Sequence, residues 1–471
     1  MNFASLQFVF FLVIIFTAYA IAARQHELQN LLLLGASYYF YACWDVRFLL
    51  LIWMVTGASF LTGRAVGRLE AIANRKRCVI GYAVFALMVL SYFKYFNFFV
   101  GSAQALLVGL GIRVSPIHLN IILPAAISFY VFESLCYVIE IYKGRLPATT
   151  QLRHYALFIG YFPKLVAGPI ERPAVLLPQI QKPRRITEEF VTRGLFLILL
   201  GLFKKIVIAD GLAPTVDSVF DRATTPGALE IVLASYAFAL QIYCDFSGYT
   251  DIARGVSKLF GIELSLNFRF PYFSSNPSEF WKRWHMSLSS WLRDYLYIPL
   301  GGNRRSKLRT QVNLMVTMLL GGLWHGAAWN YILWGGFQGG LLVVHSFFKG
   351  VRTSGWRAVS LRILSTVVFL QFICYGWLLF RARSLAQIAD YSQTLIAGHY
   401  DWTISLSRPP LATVLGVATL LMYDLVAYRS GQATFYRALP TPIRAGLYAV
   451  LAFLTLMGLA NARSAFIYFQ F

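Results

Sequence analysis

The sequence predicts an all-α, multi-pass membrane protein: a bundle of about 11 transmembrane helices with re-entrant and interfacial helices among them. Composition gives the first reason. Hydrophobic residues make up 58% of the 471 and charged residues 13%, with a mean hydropathy of +0.59. A soluble domain carries about 25% charged residues, so this chain cannot coat a water-facing surface along its length. The second reason is the recurrence of apolar runs long enough to cross about 30 Å of hydrocarbon. The third is their continuity. No long polar stretch, internal repeat or low-complexity linker separates them, so residues 1–471 read as one membrane-embedded domain.

Taken in order, spanning runs lie near 3–23, 46–63, 79–100, 117–142, 190–212, 228–248, 327–348, 358–380, 410–428 and 445–461. Runs 30–43 and 311–324 are shorter and must be tilted, re-entrant or buried in protein. The run Phe3–Ala23 has no basic region before it and is as long as a full span, so it reads as a first transmembrane helix, not a signal peptide. Lys and Arg total 42 against 20 Asp and Glu, a formal charge of +22. In a membrane protein that excess reads first as cationic cytoplasmic loops facing anionic headgroups, and second as attraction for a polyanionic co-substrate such as coenzyme A; nucleic acid is not implied. Arg64, Arg68, Arg75, Lys76, Arg77, Lys143, Arg145, Arg153, Lys182, Arg184, Arg185, Arg304, Arg305, Lys307 and Arg309 all fall on one side if the N-terminus is extracytoplasmic. The stretch 213–227, with Asp217, Asp221 and Arg222, then lies outside. Arg381 and Arg383 fit that count poorly.

Two segments depart from simple spanning. In 154–185 the apolar run Phe158–Ile170 is broken by Pro163, Lys164, Gly168 and Pro169. Proline removes a backbone donor, and non-helical backbone at membrane depth survives only in protein or beside water. A re-entrant element near a site is expected, with a loop lying at the interface as the alternative. In 263–310, Trp281, Trp284 and Trp291 alternate with Lys282, Arg283 and Arg293, which is the pattern of an interfacial amphipathic helix.

Chemistry narrows to few residues. The five cysteines (Cys43, Cys78, Cys136, Cys244, Cys374) are scattered without a C-x-x-C spacing, so neither a disulfide framework nor a zinc ribbon is indicated. His26, His118, His154, His345 and His399 lie at span ends or in loops. His325 instead sits between two apolar halves, within Gly321–Asn330 (GGLWHGAAWN), where an ionisable group is costly and burial favours the neutral, proton-accepting imidazole. A histidine that merely bonds neighbouring helices would fit equally well. His285 comes 40 residues earlier, in a Trp-rich segment, and the two could converge. With Cys244, Asp245 and Asp251 the only further ligand candidates, and no recognised spacing among them, no metal is expected. Asp245 and Asp251 end an apolar helix, where orienting an imidazole or pairing with Arg254 would justify them. No G-x-S-x-G elbow or P-loop occurs.

Five stretches in sequence order resemble signatures of the membrane-bound O-acyltransferase family: Pro163–Ile170 (PKLVAGPI), Asp245–Asp251 (DFSGYTD), Phe280–Ser289 (FWKRWHMSLS), Leu292–Gly302 (LRDYLYIPLGG) and Gly322–Gly326 (GLWHG). They are most similar to the bacterial branch that acetylates polysaccharides such as alginate, cellulose and peptidoglycan; teichoic acid D-alanyl transfer is a more distant likeness. Phe466–Phe471 (FIYFQF) is also similar to that branch, and the resemblance is densest over residues 120–350. It implies a tunnel through the bundle in a bacterial inner membrane, His325 as the catalytic histidine and His285 as its companion. It further implies Trp324, Asn330, Asp245, Ser247, Lys282, Arg283, Ser287, Arg293, Asp294 and Tyr297 as candidate substrate- or donor-binding residues. It implies no bound cofactor, with acetyl-coenzyme A or another acetyl thioester as the expected co-substrate. The partners it implies are membrane lipid, a polysaccharide acceptor and an extracytoplasmic acetyltransferase partner protein.

Resemblance and residues meet in one mechanism. Neutral His325 takes the proton of an acceptor hydroxyl as it attacks the thioester carbonyl, and His285 binds the acceptor or the developing negative charge. Lys282, Arg283 and Arg293 attract donor phosphates or anchor the interface. The rival class is a transporter or flippase, since many spans and buried ionisable residues serve transport as well, although no symmetrically broken helices occur in two halves.

Overall fold

A computed structural model describes residues 3–348, 355–398 and 404–461. His399 and the Phe466–Phe471 stretch lie outside the described residues. Among those described, every regular element is a helix. Among the described residues six helices are long and apolar enough to cross a membrane: Phe48–Arg68, Ile72–Gly109, Ala228–Leu259, Val359–Arg381, Leu411–Ser430 and Thr441–Gly458.

Several other apolar runs take shorter or interrupted forms, each with a local cause. The first helix, Leu6–Ile21, has 16 residues and starts at Ser5, whose Oγ accepts the Phe8 N–H at 3.2 Å. In the run 117–142, helix forms only from Ile127, because Pro124 lacks a donor and Ala126 takes a left-handed conformation (φ 61°). The run 190–212 is helical to Leu202, passes through a π turn at Phe203–Ala209 and resumes at Asp210. Such turns often accompany functional sites.

Packing divides the chain into two compact units, Met1–Leu195 with Ala253–Ser265, and Phe196–Ile252 with Leu266–Phe471. In the first, the broken segment forms three short helices, Leu152–Gly160, Phe162–Leu165 and Pro173–Gln181. Tyr155, Phe158, Tyr161 and Phe162 are fully buried, so the segment runs through protein and not along the surface. Its polar groups are satisfied there. Lys164 pairs with Glu133, Tyr161 Oη lies 3.1 Å from Ser257 Oγ, and Glu171 accepts the Ser265 N–H at 2.6 Å and its hydroxyl at 2.9 Å. Burial in protein is the condition under which broken backbone is tolerated in a membrane.

The second unit centres on a helical hairpin, Lys307–His325 and Trp329–Phe347. Glycines let its arms touch backbone to backbone. A methyl group added at Gly322 would sit 2.2 Å from the Tyr331 carbonyl oxygen, and one at Gly335 2.3 Å from that of Met318. At one end of this unit Arg381 pairs with Asp217 at 3.0 Å and Asp221 at 2.9 Å, and Arg383 with Asp221 at 2.7 Å. The two arginines that fitted the loop-charge count poorly are thus neutralised by acids of the 213–227 stretch, at the same end as that stretch.

Candidate functional site

His325 is the last residue of its helix, and the chain turns at once into the returning arm through Gly326, where a Cβ would fall 2.2 Å from the Tyr331 ring. The residue is 5% exposed. Rings surround it, with centroids at 5.1 Å (Trp324), 5.1 Å (Trp334) and 5.5 Å (Phe380). Phe380 is held near by Asn330, whose Nδ2 donates to the carbonyls of Phe380 at 3.3 Å and Ala382 at 3.0 Å.

The structure brings the two histidines together. His285 lies 6.2 Å from His325 between ring centroids, 5.8 Å from Trp324 and 4.7 Å from Phe246. The segment carrying it is not one amphipathic helix. It is broken into Pro271–Phe273, Pro277–Phe280, Met286–Leu292 and a π turn Arg293–Tyr297. His285 occupies the joint before Met286–Leu292 with φ 43° and ψ 55°, a left-handed conformation that costs a residue with a Cβ about 1–2 kcal/mol. Such outliers cluster at functional positions. The side chain is wholly buried, and neither ring nitrogen has a hydrogen-bond partner among the described residues. Burial pushes this imidazole down to about 3, so it is neutral at physiological pH. A neutral ring offers one N–H donor and one acceptor to whatever enters.

The remaining predicted residues fall into two groups. Trp324 and Asn330 belong to the wall around His325, and Ser287 follows His285, its hydroxyl donating to Asn267 Oδ1 at 3.0 Å. Ser247 is buried one residue beyond Phe246, with no hydrogen-bond partner for its Oγ among the described residues. The others are paired or at least partly exposed, and among the described residues no ring contact joins them to either histidine. Asp245 receives Lys205 at 2.6 Å, and Lys205 also reaches Asp210 at 2.8 Å. Arg283 pairs with Glu279 at 2.7 Å and stacks over Tyr428, while Lys282 is exposed. Arg293 pairs with its neighbour Asp294 at 2.7 Å on an exposed edge, and the Tyr297 carbonyl accepts the Gly302 N–H. Among the described residues no group of three His, Cys, Asp or Glu side chains is placed to hold a metal.

Sequence reasoning overlooked Lys204 and Lys205. Both lie in the π turn, with Lys204 2.7 Å from Asp251, whereas Arg254 turns to Glu263 at 3.6 Å. Two lysines inside an apolar run were the available signal. Trp334, Phe380 and Asn267 were also overlooked, since their importance depends on three-dimensional neighbours.

Comparisons with known proteins agree on one family. The sequence model of MBOAT, membrane-bound O-acyltransferase family, matches residues 145–385. The chain is 40% identical over 410 residues to a probable alginate O-acetylase AlgI of Azotobacter vinelandii, covering 87% of this chain and 80% of the relative. It is 33% identical over 389 residues to a peptidoglycan O-acetyltransferase of Helicobacter pylori, covering 77% and 73%. A teichoic acid D-alanyltransferase of Bacillus subtilis is 29% identical over 280 residues, covering 56% and 70%.

Proposed function

Because the chain belongs to the membrane-bound O-acyltransferase family and is a multi-pass membrane acyltransferase, we propose that it moves acetyl groups from a cytoplasmic thioester to hydroxyls of an extracytoplasmic polysaccharide, with His325 as general base. The donor is acetyl-coenzyme A or another acetyl thioester. The acceptor is alginate or a related exopolysaccharide, reached directly or through a partner protein that takes the acetyl group first. The names of the relatives support this class of acceptor. The setting is a bacterial inner membrane, with the N-terminus outside and about 11 helices around a tunnel that lets donor and acceptor meet from opposite faces.

One observation carries the reading: two buried imidazoles from distant parts of the sequence lie 6.2 Å apart between centroids inside an aromatic wall. In that wall a neutral His325 accepts the hydroxyl proton as the acceptor oxygen bonds to the acetyl carbon. The carbon–sulfur bond then breaks, and the proton passes to the departing thiolate. His285 donates its single N–H to the carbonyl oxygen as charge develops there. General-base action contributes roughly 10²–10⁴-fold.

The test uses purified protein in nanodiscs supplied with acetyl-coenzyme A and acceptor polymer. His325→Ala is expected to lose ester formation while its abundance in the membrane stays at the wild-type level. Undiminished acetyl transfer by that variant overturns the assignment, and polymer flux without thioester cleavage by the wild type would make the protein a transporter.

A further inference from the structure

A working histidine is usually held by a hydrogen bond on its second ring nitrogen, which fixes tautomer and direction. His285 has no such bond, and both its nitrogens lack a partner among the described residues. Among the described residues its ring meets those of Phe246, Trp324 and His325, and its backbone is in the left-handed region. Something must hold the turn there.

The neighbouring bonds identify what does. Asn267 is fully buried. Its carbonyl accepts the Met286 N–H at 2.9 Å. Its Oδ1 accepts both the Ser287 N–H at 3.2 Å and the Ser287 hydroxyl at 3.0 Å. On the other flank, two residues further along the same strand of chain, the Arg269 N–H donates to the Arg283 carbonyl at 2.9 Å. Residues 267–269 therefore bracket His285 from both sides and touch neither ring nitrogen. The amide Nδ2 of Asn267 has no partner among the described residues, so Oδ1 is the half of the side chain that acts.

We propose that Asn267 is the positioning residue of the transfer site: its side-chain oxygen locks the 285–287 turn in the left-handed form and thereby aims the His285 imidazole at His325. This rests on the reading of His285 as a participant in acetyl transfer. Asn267 touches no substrate in this scheme and acts through the turn alone. Only an acceptor atom is required at its Oδ1 position.

The experiment measures acetyl transfer by four full-length variants in nanodiscs, with kcat and KM for acetyl-coenzyme A determined separately. Asn267→Ala is expected to lower kcat by about 10–100-fold with KM within about threefold, because a misaimed group affects the transition state and not donor binding. Asn267→Asp keeps an acceptor oxygen and discards Nδ2, and is expected to recover to within about fivefold of wild type. Ser287→Ala removes one of the two bonds to Oδ1 and is expected to fall between them; if Asn267→Ala does not accumulate, these two variants carry the test. A folded Asn267→Asp protein as impaired as a His285→Ala protein overturns the proposal, as does wild-type kcat in Asn267→Ala. Should His285→Ala itself retain full activity, it is the underlying role of His285 that fails, whatever Asn267 does.

Discussion

Gly322→Ala offers a direct test of how strictly the hairpin places His325. The added methyl would start 2.2 Å from the Tyr331 carbonyl oxygen, in contact with backbone that has no rotamer to escape into. Relief to an ordinary carbon–oxygen contact separates the two arms by about 1 Å. His325 lies three residues on, at the end of the same helix, so it moves with the arm. A displacement of this size at a reacting group costs on the order of 100-fold in rate, about 2.7 kcal/mol of barrier. The assay is ester formation by protein in nanodiscs, normalised to folded protein by size-exclusion chromatography. Gly340→Ala on the returning arm is the control, since nothing lies within 4 Å of a Cβ there. Wild-type turnover by a folded Gly322→Ala protein, or equal losses in both variants, would refute the argument that backbone contact fixes the histidine.

Two further perturbations probe the buried charges. Lys205→Met leaves Asp210 and Asp245 buried without their shared ammonium. The expected cost is about 3–5 kcal/mol, seen as a lower melting temperature that Asp245→Asn partly restores; an unchanged melting temperature would contradict this. For His285, the folded value near 3 lies below the exposed value near 6.5, so the unfolded chain binds the proton more readily. Its contribution is intact above pH 6.5 and is lost progressively as pH falls toward 3, about 2 kcal/mol being gone at pH 5. Thermal unfolding of wild type should fall off more steeply than that of His285→Gln between pH 7 and pH 5, and parallel profiles would count against a neutral, solvent-free imidazole.

Membrane residence and helical class were legible because both follow from bulk hydropathy, which needs no knowledge of neighbours. His325 was legible for a related reason: an ionisable side chain flanked by glycines inside an apolar run is conspicuous in one dimension. Its approach to His285 was only a conjecture from sequence, since the two positions lie 40 residues apart, across short helices, turns and a full hairpin arm. The partners of Asp245 and Asp251 were not legible. Arg254 is nearer in sequence but turns to Glu263, and the π turn presents the two lysines to the acids instead. Asn267 was hidden more deeply, because its value depends on the backbone angle of residue 285, and no composition or period encodes a single positive φ. The number of clean spans was obscured by proline and by left-handed Ala126, which shorten an apolar run without making it less apolar.

The helix Ile72–Gly109 runs for 38 residues, a contour of about 57 Å against a hydrocarbon layer of about 30 Å. Standing upright, nearly half of it would leave the oil, although Phe99, Leu106 and Val108 near its far end expose apolar side chains. Its first two turns carry Arg75, Lys76 and Arg77, which stay at the headgroups, and the π turn Ser91–Tyr95 interrupts the rest midway. The apolar length beyond Cys78 still exceeds the layer, so this helix meets its bilayer under mismatch. The chain lengths of the host's lipids enter the folding free energy of this unit as surely as its own side chains do.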